Sequence, residues 1–190
     1  MLSLRVLTFA MFGLLMLGCG PRWAIVAQAN PDPLVGAQTF YVEPVHFDPP
    51  FVGGKLETEY LAGKSPDQRD SWNVDKAETS SRYASSLISA LGEPPAIRFI
   101  VQPAPGVFIV RPIIQFIEPG FYAGLVAAPT EVHMRVQILS SEGGIIDEIA
   151  IRSVIGSSLI YPSSGGRMRA AGEDLAQVTA EYIRKRVQGR

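Results

Sequence analysis

The sequence predicts an α+β domain, a mostly antiparallel sheet of about five strands with two helices packed on one face. Three observations predict it. Residues 131–139 alternate apolar and polar side chains with the period of a strand that has one dry face. Two segments, 75–91 and 167–187, carry apolar residues at helical spacing. Fifteen prolines and eighteen glycines divide the chain into elements joined by turns.

Taken in order, the first folded element is a strand over 39–47. Phe40, Tyr41, Val42, Val45 and Phe47 suit a sheet, and Pro44 removes one ladder donor, as at an edge or a bulge. Residues 48–74 read as a long polar insertion holding Pro49, Pro50, Gly53, Gly54 and Pro66, with a short helix around 55–61. A helix then starts at Asp75, which with Glu78 has the spacing of a capping box, and continues through Tyr83, Ala84, Leu87, Ile88 and Leu91. Gly92 and Pro94-Pro95 end it. Runs rich in β-branched residues follow at 97–101, 107–117, 131–139 and 145–155, and the turn signal at 140–144 joins the last two as an antiparallel hairpin. The final helix covers 167–187, with Ser163 or Ser164 as cap, Glu173 and Asp174 early and Arg184, Lys185 and Arg186 late, in the order the helix dipole favours. Met168, Ala171, Leu175, Val178 and Tyr182 form its apolar stripe. Gly172 either precedes the true helix start or permits close packing.

Ahead of the domain stands an export signal. Arg5 is followed by an apolar run from Val6 to Leu17, about 12 residues against the ~20 a membrane-crossing helix needs. Leu15-Met16-Leu17-Gly18-Cys19 resembles the lipobox of bacterial lipoproteins. The resemblance implies removal of 1–18 and acylation of Cys19, with palmitate-like chains each contributing about 0.8 kcal/mol per buried CH₂ to membrane anchoring. Gly20 in place of Asp, by similarity to enterobacterial lipoproteins, implies an outer-membrane address facing the periplasm. Residues 19–38 then read as a tether and 39–188 as the domain. A second route is a cut after Ala27-Gln28-Ala29, releasing a secreted periplasmic chain that begins at Asn30. Arg22 and the roughly 12 residues between Leu17 and that cut favour the lipidated route.

Lys+Arg 17 against Asp+Glu 18 leaves no single-sign field that would attract nucleic acid, and one cysteine allows no disulfide within the chain. His46 and His133 lack metal-ligand spacing to each other or to cysteine, so neither a metal nor another cofactor is expected. Asp147 and Glu148, adjacent on a strand, point to opposite faces and cannot act as a general acid and base pair. Gly156-Ser157-Ser158-Leu159 is not a nucleophile elbow. Ser163 to Arg167 reads as helix capping rather than an anion site. No enzyme is expected.

Binding is the remaining class. Residues 119–130 hold Phe121, Tyr122, Leu125 and Val126 without one charge, and such a connection either folds into the core or presents an adhesive surface. The interior preference of large side chains favours the core. If it is exposed, Phe121, Tyr122 and Leu125 are its contact residues, joined by Trp72 from the 48–74 insertion. Pro105-Gly106-Val107-Phe108-Ile109-Val110, the run 131–140 and Gly143-Gly144 resemble uncharacterised bacterial envelope lipoproteins similar in fold to the TolB amino-terminal domain and to activators of penicillin-binding proteins. That resemblance implies a scaffolding domain that binds another envelope protein. The alternative of another class is a structural subunit that self-assembles by pairing its proline-containing edge strands.

Overall fold

Trp23–Gln28, within the stretch expected to be a tether, is a strand (β1) that pairs antiparallel with Ile145–Ile155 (β10). The computed structural model describes residues 21–93, 97–123, 126–158 and 160–190, so Cys19 and Leu125 lie outside the described residues. Between β1 and β10 the chain forms β2 (Thr39–Val42), β3 (Phe51–Val52), β4 (Lys55–Leu56), α1 (Glu57–Ala62), α2 (Pro66–Gly92), β5 (Arg98–Ile100), β6 (Phe108–Glu118), β7 (Phe121–Ala123), β8 (Val126–Ala128) and β9 (Thr130–Leu139). Helix α3 (Ser164–Val187) closes it.

The α+β class holds, but among the described residues the sheet is mixed and has eight strands rather than about five, with three helices. Its main order is β1-β10-β9-β6-β2-β5, and β3 lies against β6 with β4 outside it. From β1 to β6 the pairing is antiparallel, whereas β2 runs parallel to both β5 and β6, and β3 parallel to β6. The cause is α2. Its 27 residues span roughly 40 Å, enough to return the chain to the end where β2 began, so that β5 starts in the same direction.

That helix begins earlier than the Asp75–Glu78 spacing suggests. Ser65 is the N-cap, its side chain accepting from Gln68 N while the Gln68 side chain accepts from Ser65 N, with Pro66 as the first helical residue. Proline here starts a helix, because the first-turn N–H has no partner to lose. Asp75 instead faces α3, paired with Arg169. Burial raises its pKa above the ordinary carboxylate value despite that partner. Nor is β2 an edge: it lies between β5 and β6 and stops at Val42, opposite Val110. Two residues further along β6 is Pro112, which has no N–H to donate, and pairing resumes only as a bridge between His46 and Ile113, with the His46 N–H donating to Pro112 O at 2.9 Å. The edge strands are β1, β5 and, outside β3, β4, and none of them contains proline.

On β9, Val132, Met134, Val136 and Ile138 are buried, as the alternation requires. They meet Met168, Ala171, Leu175, Val178 and Ile183 of α3, while α2 packs along α3 with Tyr83, Leu87 and Leu91. Gly172 lies inside α3 and permits this approach, since a Cβ there would come within 3.0 Å of the Thr79 carbonyl oxygen and of its methyl carbon. Gly172→Val is therefore expected to lower the unfolding free energy by about 1–3 kcal/mol through overpacking. Urea titration of the two proteins checks it, and an unchanged midpoint would show that the helices can part freely.

The seam between β1 and α3 is polar and buried. Asp147, fully buried on β10, accepts from Tyr182 Oη at 2.6 Å, from Arg186 Nε at 2.7 Å and from Ala29 N at 3.0 Å. Arg186 also pairs with Asp32 at 2.7 Å and donates to Ala29 O at 3.2 Å. Burial, then the bond to Asp147, pushes the Tyr182 phenol pKa up, so it stays a neutral donor. Residues 29–32 are thereby fastened to the helix end, a further departure from a free tether.

Candidate functional site

One face of the sheet is covered by helices and the other is open, and the polar members of the strand alternation make that open face. Arg135 on β9 donates to Glu148 on β10 at 2.7 Å and to Gln115 on β6 at 3.2 Å, and Gln137 donates to Glu148 at 3.0 Å. His133 meets Glu131 at 2.8 Å and stacks on Phe116 with ring centroids 4.9 Å apart. Nearer β2, Glu43 accepts from Arg111 at 2.6 Å and pairs with His46 at 2.9 Å. The Arg111 bond, and after it His46, hold the Glu43 carboxyl below the usual carboxylate range despite partial burial. Asp147 and Glu148 thus part to opposite faces, one under α3 and one on this network.

Along this face runs an open groove of about 920 Å³ lined by Arg22, Ala24, Gln115, His133, Arg135 and Arg152, with Pro21 and Ile155 at one end. Its arginines are engaged: Arg22 with Asp174 at 2.6 Å, Arg135 with Glu148 at 2.7 Å and Arg152 with Glu131 at 3.7 Å. Burial works to raise the Asp174 pKa, but the bonds from Arg22 and Ser153 outweigh it and the pKa is lowered. His46 lines a separate open hollow of about 360 Å³ with Arg111 and Ile113. Among the described residues no group of three or more His, Cys, Asp or Glu side chains converges as metal ligands would. No described helix is long and apolar enough to cross a membrane.

The expected contact residues separate. Trp72 is 8 % exposed; its indole N–H donates to Glu57 at 2.6 Å and its ring packs on Tyr60 at 5.3 Å. It fastens α1 to α2 and is largely enclosed, because the 48–74 segment is folded rather than loose. Phe121 and Tyr122, by contrast, are 52 % and 40 % exposed on β7, and β7 pairs only with β8 in a two-stranded ribbon beyond the end of the main sheet. The preference of large side chains for the core does not decide their position. Leu125 is outside the described residues.

What holds the ribbon is Arg167, a residue the sequence reading passed over as part of a helix start. It is 1 % exposed. Its guanidinium donates to Thr130 Oγ1 at 2.8 Å, Pro119 O at 3.1 Å, Tyr161 O at 3.1 Å and Pro162 O at 3.0 Å. Those four neutral oxygens belong to both sides of the ribbon base and to the loop that leads into α3. Burial lowers the Arg167 pKa from the ordinary guanidinium value. Thr130 Oγ1 in turn donates to Pro119 O at 2.6 Å, and the Ser157 hydroxyl lies within reach of Phe121 O and Ala128 O. Gly120, at φ +61°, makes the turn where any Cβ would strike the Pro129 carbonyl. An arginine at the fourth position of a helix, after Ser163-Ser164-Gly165-Gly166, is the only signal in the sequence, and it reads equally well as a solvated side chain.

No protein-family model matches the chain, and no curated protein matches it. Among solved structures, the PelC dodecamer from Paraburkholderia phytofirmans superposes with a TM-score of 0.43 at 8 % identity, over 82 % of this chain and 96 % of that one. A single-substitution variant of that dodecamer gives a TM-score of 0.41 at 10 % identity, over 82 % and 94 %.

Proposed function

We propose that the chain is a bacterial envelope lipoprotein, anchored through acyl chains on Cys19 at the periplasmic side of the outer membrane, that binds another envelope protein without catalysing a reaction. The observation that supports the anchor is β1. A cut after Ala29 would remove the whole strand Trp23–Gln28 together with the Ala29 contacts to Asp147 and Arg186, whereas a cut before Cys19 leaves every described element in place. The open sheet face supports the binding part, since its groove carries paired charges and apolar floor side by side, the mixed surface that a protein partner covers.

Cells grown with radiolabelled palmitate are expected to label the chain, and Cys19→Ser is expected to abolish both the label and the removal of residues 1–18. Lack of label in the unaltered chain, or a Cys19→Ser protein trimmed to begin at Asn30, would overturn the anchor. A photo-crosslinking residue in place of Arg152 is expected to give a discrete heavier species in intact cells. Its absence there and from His133 would reject this face as the partner surface.

A further inference from the structure

We propose that the end of the sheet tipped by β7 and β8 lies in the headgroup region of a lipid bilayer, with Phe121, Tyr122 and Val126 as the inserted side chains. The proposal rests on the anchored reading only for how the chain arrives there. The hairpin's own surface is a separate observation.

Strand direction brings the two together. Trp23 pairs with Ile151 and Gln28 with Asp147, so the chain ahead of Trp23 runs toward the Val154–Ile155 end of β10. Pro21 and Ile155 line the same groove. Ile155 pairs with Thr130, the residue at the base of the ribbon. The chain therefore enters the domain at the hairpin end. Cys19 is two residues from Pro21, a separation of at most about 7 Å. The turn at the other end, Ser140 to Gly144, is polar and lies a strand length of roughly 33 Å away. An acyl group on Cys19 would bring the hairpin end to the bilayer and hold the 140–144 turn off it.

The chemistry of that end suits the headgroup boundary. From Pro119 to Thr130 there is no charged residue. Phe121, Tyr122 and Val126 are exposed, Ile160 beside the ribbon base is 80 % exposed, and Phe51 is half exposed on β3, which pairs with the same end of β6. A lone two-stranded ribbon is marginal in water, yet this one is fixed by Arg167 and Ser157, so its apolar side chains are presented rather than collapsed. Interfacial segments bury apolar side chains about 5–10 Å below the headgroups, and tyrosine favours that depth because its ring is apolar and its hydroxyl remains wet.

The test uses the full chain, expressed and acylated in cells, purified and reconstituted in vesicles of phosphatidylethanolamine and phosphatidylglycerol. Cys19 is the only cysteine, and when acylated it offers no free thiol. Tyr122→Cys, Val126→Cys and, as a control in the distant turn, Glu142→Cys are each labelled with an environment-sensitive fluorophore. A shallow nitroxide lipid is expected to remove roughly half or more of the emission at 122 and 126, given insertion of ~5–10 Å, and almost none at 142. Equal, weak quenching at all three sites overturns the proposal. So does shielding of 122 from aqueous iodide without quenching by the lipid, which would assign the hairpin to a second copy of the chain. Palmitate incorporation is read on the same samples. Label present with no quenching at 122 sinks the hairpin proposal and leaves the anchor. Quenching at 122 without label sinks the anchor and leaves the hairpin.

Discussion

Replacing Arg167 by methionine is expected to lower the unfolding free energy by about 3–5 kcal/mol, a large part of the stability of an ordinary domain. Methionine fills much of the same channel, so the loss comes from the four oxygens that the guanidinium serves, of which Pro119 O alone keeps another donor, the Thr130 hydroxyl. Each buried acceptor left without a donor costs roughly 1–3 kcal/mol, less where water can reach it. Thr130 Oγ1 and the carbonyls of Pro119, Tyr161 and Pro162 converge from three separate segments, and the methionine sulfur can donate to none of them. Lysine is not a rescue, because its single ammonium lacks the planar fork that reaches all four. Urea denaturation of the unaltered and Arg167→Met chains measures the difference. A change below about 1 kcal/mol would mean that the ribbon base is held by packing alone.

A chain beginning at Asn30 is expected to lose about 4 kcal/mol or more relative to one beginning at Gly20. Missing from it are the β1 ladder on β10, the edge-to-face packing of Trp23 on Tyr182 at 5.6 Å, the two bonds from Arg22 to Asp174 and the contacts of Ala29 with Asp147 and Arg186. Hydrogen bonds net roughly 0.5–1.5 kcal/mol each, and a largely buried aromatic adds ~1.5–3 kcal/mol. Removal of β1 also bares the outer edge of β10, a row of unpaired backbone groups that invites association. Thermal melts of both chains, with light scattering during the scan, check the two effects together. Equal melting points would show β1 to be an appendage and would reopen cleavage after Ala29.

Much of the fold can be read from local pattern. The β9–β10 hairpin, the dry face formed by Val132, Met134, Val136 and Ile138, and α3 with its Ser163 cap follow from side-chain period and from cap and turn chemistry, which act over a few residues. Other features are ambiguous at that range. Pro66 can break a helix or begin one, and Ser65 with Gln68 decides for a beginning. Asp75 with Glu78 has the spacing of a cap, but the carboxylate is directed to Arg169 on α3. Five ordinary apolar residues and a glutamine at 23–28 carry no sign that a strand edge waits for them far along the chain, at Asp147 to Ile151. Of the expected contact residues, Phe121 and Tyr122 are exposed and Trp72 is not, because Glu57 on α1 is within reach of its indole.

The sequence by itself determined the class of the domain, its long helices, the strand hairpin and the charge-free run at 119–130, since each depends on neighbours along the chain. Tertiary structure alone decided that β1 joins the sheet, that β2 runs parallel to β6, that Trp72 is enclosed, and that Arg167 and Asp147 serve buried acceptors and donors from distant segments. Those outcomes depend on which groups meet across space once the helices cover one face, and no periodicity encodes the meeting of an arginine with a carbonyl 48 residues away.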